Sequence, residues 1–192
     1  MRKLISAILY VGLGFAVVST GCKSKKNKEV PLPSDEVEVK LPCSEYKSDA
    51  KTFRAFSFGE SMDLNTAKRK ALSNARAELA GMLSTTMKVV GDNYVKSSEF
   101  NNKEEILERF EENARTVINQ ELRGVIPVCE RSSKVKNSNI FKYYVALELS
   151  AERLADSYFQ TLTRDQSLRI DYNYERFKKT FEEEMRRFEQ GR

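Results

Sequence analysis

The sequence has no histidine and no tryptophan. Histidine is the side chain that titrates near neutral pH and most often serves as general base or metal ligand. Its absence excludes serine–histidine–acid triads, and three cysteines without histidine make no credible zinc set. No G-x-x-x-x-G-K phosphate loop occurs, so a P-loop nucleotide site is excluded as well. There is no internal repeat of fixed period and no low-complexity array. No apolar run approaches the ~20 residues that cross a bilayer; the longest, Leu4 to Val18, has fifteen. The folded part also lacks an excess of positive charge. The formal net charge is +5, but Arg2, Lys3, Lys23, Lys25, Lys26 and Lys28 supply six cations, which leaves residues 29–192 at −1. Without a cationic footprint on the body, no nucleic-acid partner is expected.

The start of the chain is informative. Arg2-Lys3, the apolar run and Ser19-Thr20-Gly21-Cys22 have the layout of a signal peptide over residues 1–21, with small residues before the cut. A cysteine directly after those small residues resembles the lipobox of bacterial lipoproteins, with Ser19 at the place that leucine usually holds. That resemblance implies cleavage before Cys22 and attachment of diacylglycerol to its thiol. The alternative is a cleaved secretory signal with an incidental cysteine. Several acyl chains, at about 0.8 kcal/mol per buried methylene, would make attachment to a bilayer effectively permanent. Residues 22–50 then read as the lipidated cysteine and a flexible tether, basic at first and held extended by Pro31 and Pro33. No aspartate follows Cys22, and no acidic run follows directly, so by resemblance the expected location is the periplasmic face of the outer membrane.

Residues 51–192 read as a single α+β domain. Thr52–Phe58 is rich in β-formers and ends at Gly59. From Asp63 to Val90 the pattern changes to steps of three and four. Leu64, Ala67, Ala71, Ala75, Leu79, Met82, Leu83, Thr86, Val89 and Val90 make one apolar stripe of a helix capped by Ser61 or Asp63. Alanine dominates its first half, and so small a side chain lets a helix axis come close to its neighbour. Gly81 is a weak point, and Gly91-Asp92-Asn93 is expected to break or kink the helix. A second helix spans Lys103–Glu121, with Asn102 and Glu105 spaced as a capping box. Two strands follow, Leu122–Lys134 and Asn139–Leu149, around the turn residues 136–139. Pro127 places the first of them at an edge or a bulge. In the second, Phe141, Tyr143, Val145, Leu147 and Leu149 face the core, and Lys142, Tyr144 and Glu148 face a wetter side. Ser150 caps a third helix, Ala151–Thr163. A C-terminal amphipathic helix at 171–189 carries Tyr174, Phe177, Phe181, Met185 and Phe188 on one side, a seam for its own core or for a partner. The fold expected is a small antiparallel sheet of about three strands, packed mainly on one face by helices.

Phe53–Phe58 with Gly59, then Ala67-x3-Ala71-x3-Ala75-Arg76-Ala77-Glu78-Leu79-Ala80, and later Tyr143-Tyr144-Val145-Ala146-Leu147, resemble the LPP-twenty family of small bacterial envelope lipoproteins. The resemblance covers about residues 52–165. It implies an envelope location and an α+β domain, and it brings no catalytic residue, cofactor or metal.

The remaining candidates for chemistry are few. Ser44-x-x-Lys47, Ser48-x-x-Lys51 and Ser133-x-x-Lys136 match S-x-x-K, but the companion S-D-N and K-T-G motifs are missing. Glu104-Glu105, Glu111-Glu112 and Glu182-Glu183-Glu184 read as solvated helix faces. Cys43 and Cys129 remain. In an oxidising compartment they are expected to bridge; the alternatives are two buried thiols or pairing with another chain. The function expected is a non-catalytic, lipid-anchored module whose partners are the bilayer, through acylated Cys22, and another envelope protein or polymer. The competing readings are a homo-oligomer assembled through helix 171–189, or an enzyme with lysine, tyrosine or carboxylate chemistry, to which Lys142, Tyr143, Tyr144 or Tyr158 could contribute.

Overall fold

The structure, a computed structural model, describes residues 35–97, 101–165 and 173–191. The signal peptide, Cys22, the tether as far as residue 34, and residues 171–172 lie outside the described residues. The chain forms two units, Met1–Glu38 and Val39–Arg192. The second contains three strands and four α-helices among its described residues. They are β1 (Thr52–Ser61), α1 (Leu64–Lys96), α2 (Lys103–Glu121), β2 (Ile126–Lys134), β3 (Phe141–Ser150), α3 (Ala151–Arg164) and α4 (Tyr174–Gln190). The architecture is α+β, as expected. The sheet order is β1-β3-β2, antiparallel throughout, and helices pack against it.

The alanine row is the reason α1 sits where it does. Ala67, Ala71 and Ala75 are fully buried, and α1 lies against β1 and β3. Gly59 is a point of close approach. A Cβ on it would lie 2.4 Å from the Ala67 carbonyl oxygen and 2.7 Å from the Ala71 nitrogen. Methyl groups on the helix and a bare Cα on the strand therefore let the two backbones meet. The strand does not end at that glycine; it continues to Ser61, paired with Phe141. Asp63 is the N-cap, its carboxylate accepting from the Thr66 N–H at 2.7 Å.

Several expectations need correction. α1 runs through Gly91-Asp92-Asn93 to Lys96. Gly91 is buried against the Phe110 ring, which a Cβ would approach to 3.2 Å, so this glycine serves helix–helix contact. Packing there outweighs a propensity penalty of about 1 kcal/mol. Leu64 and Val89, assigned to the stripe, are exposed. Leu122–Gly124 is a 3₁₀ turn, and the strand begins only at Ile126. Asn102 donates to the Glu105 carboxylate, but its side chain caps no backbone N–H. The supposed wet side of β3 is covered at its middle, where Tyr144 and Ala146 are both buried, while Lys142 and Glu148 stay half-exposed. What covers it is the lead-in to β1, because the compact unit starts at Val39 rather than at residue 51.

The stripe of α4 docks on its own domain: Phe177, Phe181 and Met185 are buried. Phe177 joins Tyr94, Tyr158 and Phe159 in a ring cluster with centroids 5.5–5.7 Å apart. Gly81, by contrast, faces open space, with no atom within 4 Å of an added Cβ. Gly81→Ala should therefore stabilise the domain by about 0.5–1 kcal/mol, read from the urea midpoint. A loss of stability would mean that α1 is not a regular exposed helix at that turn.

Candidate functional site

Cys43 and Cys129 are joined, with their Cα atoms 5.7 Å apart and a sequence separation of 86. The strand is shaped for this. Between Pro127 and Cys129 the β2–β3 register slips by one residue, so that Pro127 pairs with Leu147 and Cys129 with Ala146. In unbroken register Cys129 would share the face of Val145, towards the helices. The bulge turns its sulfur to the opposite face, where Cys43 sits. Cys43 is the other fixed point, with a positive φ of 68° that few residues other than glycine adopt. Together with Leu41, Phe56 and Val128, the pair covers Tyr144 and Ala146. The bridge is thus a staple that closes a second, smaller core on the outer face of the sheet.

A hollow opens on the helical side, between α1 and α2. It holds about 220 Å³ and is floored by Met87, Gly91, Phe110, Ala114, Ile118 and Tyr158. Lys88 and Glu111, one from each helix, also line it, and their charged ends lie 3.2 Å apart. The Tyr158 hydroxyl donates to the Phe110 carbonyl at 2.8 Å, so this floor residue is satisfied internally. Such a space is of the size that accepts an aromatic ring or a short stretch of acyl chain.

The side chains named for chemistry do not converge. Tyr143 faces the helices and donates to Glu130 at 2.6 Å; Lys142 pairs with Glu60 on the other face at 3.2 Å. Tyr144 lies under the disulfide segment, and Tyr158 is buried on α3. Lys68 completes the Tyr143 group, 3.2 Å from the Glu130 carboxylate and 5.2 Å from the Tyr143 ring centroid. The Tyr143 hydroxyl and the Glu130 carboxylate beside it hold the Lys68 ammonium pKa above the ordinary lysine value. The Tyr143 hydrogen bond, opposed by partial burial and aided by Lys68, keeps Glu130 below the usual carboxylate value. Burial, then the bond to Glu130, raises Tyr143. Each group is held further into the state it already has at neutral pH, which suits a cross-link between α1, β2 and β3 rather than proton transfer.

The S-x-x-K matches fall on non-helical backbone, so the lysine is not one helical turn from the serine. The Ser44 hydroxyl donates to the Leu41 carbonyl, and the Ser48 hydroxyl donates to the Arg54 carbonyl. Of the acidic runs, Glu184 is not solvated as expected; it is buried, accepts from Asn93 at 2.9 Å and pairs with Arg187. Glu121 is more buried still, at 2% exposure. One of its oxygens accepts from Ser157, and the other lies 2.7 Å from Arg153 Nε without hydrogen-bond alignment. Its position was readable, because it continues the stripe of Phe110, Ala114 and Val117. Among the described residues no group of histidine, cysteine or acidic side chains is arranged to hold a metal ion. No described helix is long and apolar enough to cross a membrane. No family model, curated protein or solved structure matches the chain.

Proposed function

We propose that this chain is a lipid-anchored lipoprotein of the bacterial envelope, of the LPP-twenty kind, whose folded unit is a non-catalytic binding or assembly module. The observation that carries the reading is the Cys43–Cys129 bridge. A bulge aims one cysteine at the other across the sheet, and such bridges persist in oxidising compartments outside the cytosol. An exported chain with Ser19-Thr20-Gly21-Cys22 after an apolar run has the pattern of a lipobox, so Cys22 is the anchor. Residues 22–38 precede the compact unit and provide the tether. The hollow between α1 and α2 supports a binding role, because its floor is apolar and its lip is charged. Assembly through helix 171–189 is less well supported, since the aromatic stripe of α4 is already buried in its own core.

The test is fatty-acid labelling with membrane fractionation. The wild-type protein should take up label and resist washing in high salt, leaving the membrane only in detergent. Cys22→Ala should take up none and come off in salt or buffer. Wild-type protein released by salt alone, or Cys22→Ala that still needs detergent, would remove the anchor.

A further inference from the structure

One end of the sheet carries apolar residues that the core does not use. β1 runs out at Ser61 and β2 at Lys134, both paired with Phe141 at the start of β3. Met62 follows β1 and is 78% exposed; Leu64 begins α1 and is 38% exposed. Val135 and Ile140, at the mouth of the β2–β3 turn, are each 37% exposed. The Val135 N–H donates to the Ile140 carbonyl at 2.9 Å, so the two are held together. β1 and β2 flank β3, which sets the strand ends Ser61 and Lys134, each followed by one of these apolar residues, about two strand spacings apart, roughly 10 Å.

The same end is cationic. Lys134 and Lys136 project from it with no described carboxylate paired to either; Lys134 instead lies 5.4 Å from the Phe141 ring centroid. Of the acids nearby, Glu60 pairs with Lys142 at 3.2 Å, whereas Asp63 caps α1 and keeps its charge. Exposed aliphatic groups beside unpaired lysines suit the boundary between headgroups and acyl chains of an anionic bilayer. A second copy fits less well, because it would oppose lysine to lysine. A soluble polyanion would use the lysines but leave Met62 and Ile140 in water.

We propose that this end of the sheet, formed by Met62, Leu64, Lys134, Val135, Lys136 and Ile140, is a peripheral docking surface for anionic lipid. The Cys43–Cys129 bridge lies towards the other end of β2, so the surface is separate from the stapled core. It does not depend on acylation of Cys22, and the two ideas are separable by experiment.

The probe is the mature chain from residue 22 with Cys22→Ser, mixed with vesicles of phosphatidylcholine alone or with about a third phosphatidylglycerol. Binding should favour the anionic vesicles at least tenfold and weaken with salt. Lys134→Glu with Lys136→Glu should reduce it by about 30-fold or more, the effect of two lysines at an anionic surface. The chain has no tryptophan, so Ile140→Trp supplies a unique reporter at a partly exposed site. Its emission should move to the blue on addition of anionic vesicles. Equal binding to both vesicles, or an unmoved emission, would overturn the proposal. So would loss of binding when Lys23, Lys25, Lys26 and Lys28 are neutralised but not when the sheet end is reversed. A blue shift with soluble polyphosphate, or with protein concentration alone, would assign the surface to a polyanion or a second copy instead.

Discussion

Gly59→Ala will lower stability by roughly 3 kcal/mol or more, although the change is a single methyl group. The new Cβ would lie 2.4 Å from a backbone oxygen and 2.7 Å from a backbone nitrogen of α1. Backbone inside a helix cannot rotate away as a side chain can, so the whole helix must shift from the sheet. That shift would open the contacts of Ala67, Ala71 and Ala75, which are fully buried. Unfolding in urea should show the loss directly, and the melting temperature should fall by about 6–12 °C. Gly81→Ala, in the same helix but facing open space, is the control. Equal stability of Gly59→Ala and wild type would mean that α1 does not touch β1 at this position.

Removing the staple will have an effect of similar or greater size. Cys43→Ala with Cys129→Ala frees a loop of 86 residues. In the chain-entropy model, closing so long a loop contributes about 4–5 kcal/mol, and removal of native bridges from small secreted domains typically costs about 2–5 kcal/mol. The loss should exceed the entropic part if the lead-in segment detaches, because Tyr144 and Ala146 would then face water. The same loss should appear when wild-type protein is unfolded with and without reductant. A difference below about 1 kcal/mol would show that the segment holds its place without the bond. Two free thiols counted in the denatured, unreduced protein would reject the bridge itself.

The two effects trace to different levels of description. The alanine row and the glycine at the end of a β-rich stretch are visible as letters, and their spacing implies a helix lying close to a strand. The bulge between Pro127 and Cys129 is hinted at by the proline alone. Its consequence, a cysteine turned to the outer face, depends on which residue of β3 each residue of β2 meets. The covered outer face was missed for the same reason. Alternation along β3 assigns Tyr144 to a wet side, and nothing local states that residues a hundred positions earlier return to cover it. Gly91 differs again. Local propensity argues for a helix end there, but Phe110 of α2 needs the space that glycine leaves.

The hollow between α1 and α2 was not legible, because it depends on how closely two helices pack and which side chains fall short of filling the gap. Glu121 was legible in principle, as an acid on an apolar stripe, but its partners Ser157 and Arg153 come from α3. The exposed apolar end of the sheet is likewise composed of residues from three strand ends and one helix start.

By itself the sequence determined the kinds of element and their order, the absence of histidine chemistry, and the helix that can lie flush against a strand. These depend on periodicity and side-chain size, which are properties of neighbours along the chain. Only the tertiary structure decided that Cys43 meets Cys129, that Tyr144 and Ala146 on the outer face of β3 are covered, and that Met62, Val135 and Ile140 share one exposed end. Those facts arise from strand register and helix docking, where residues far apart in sequence compete for the same few ångströms of space.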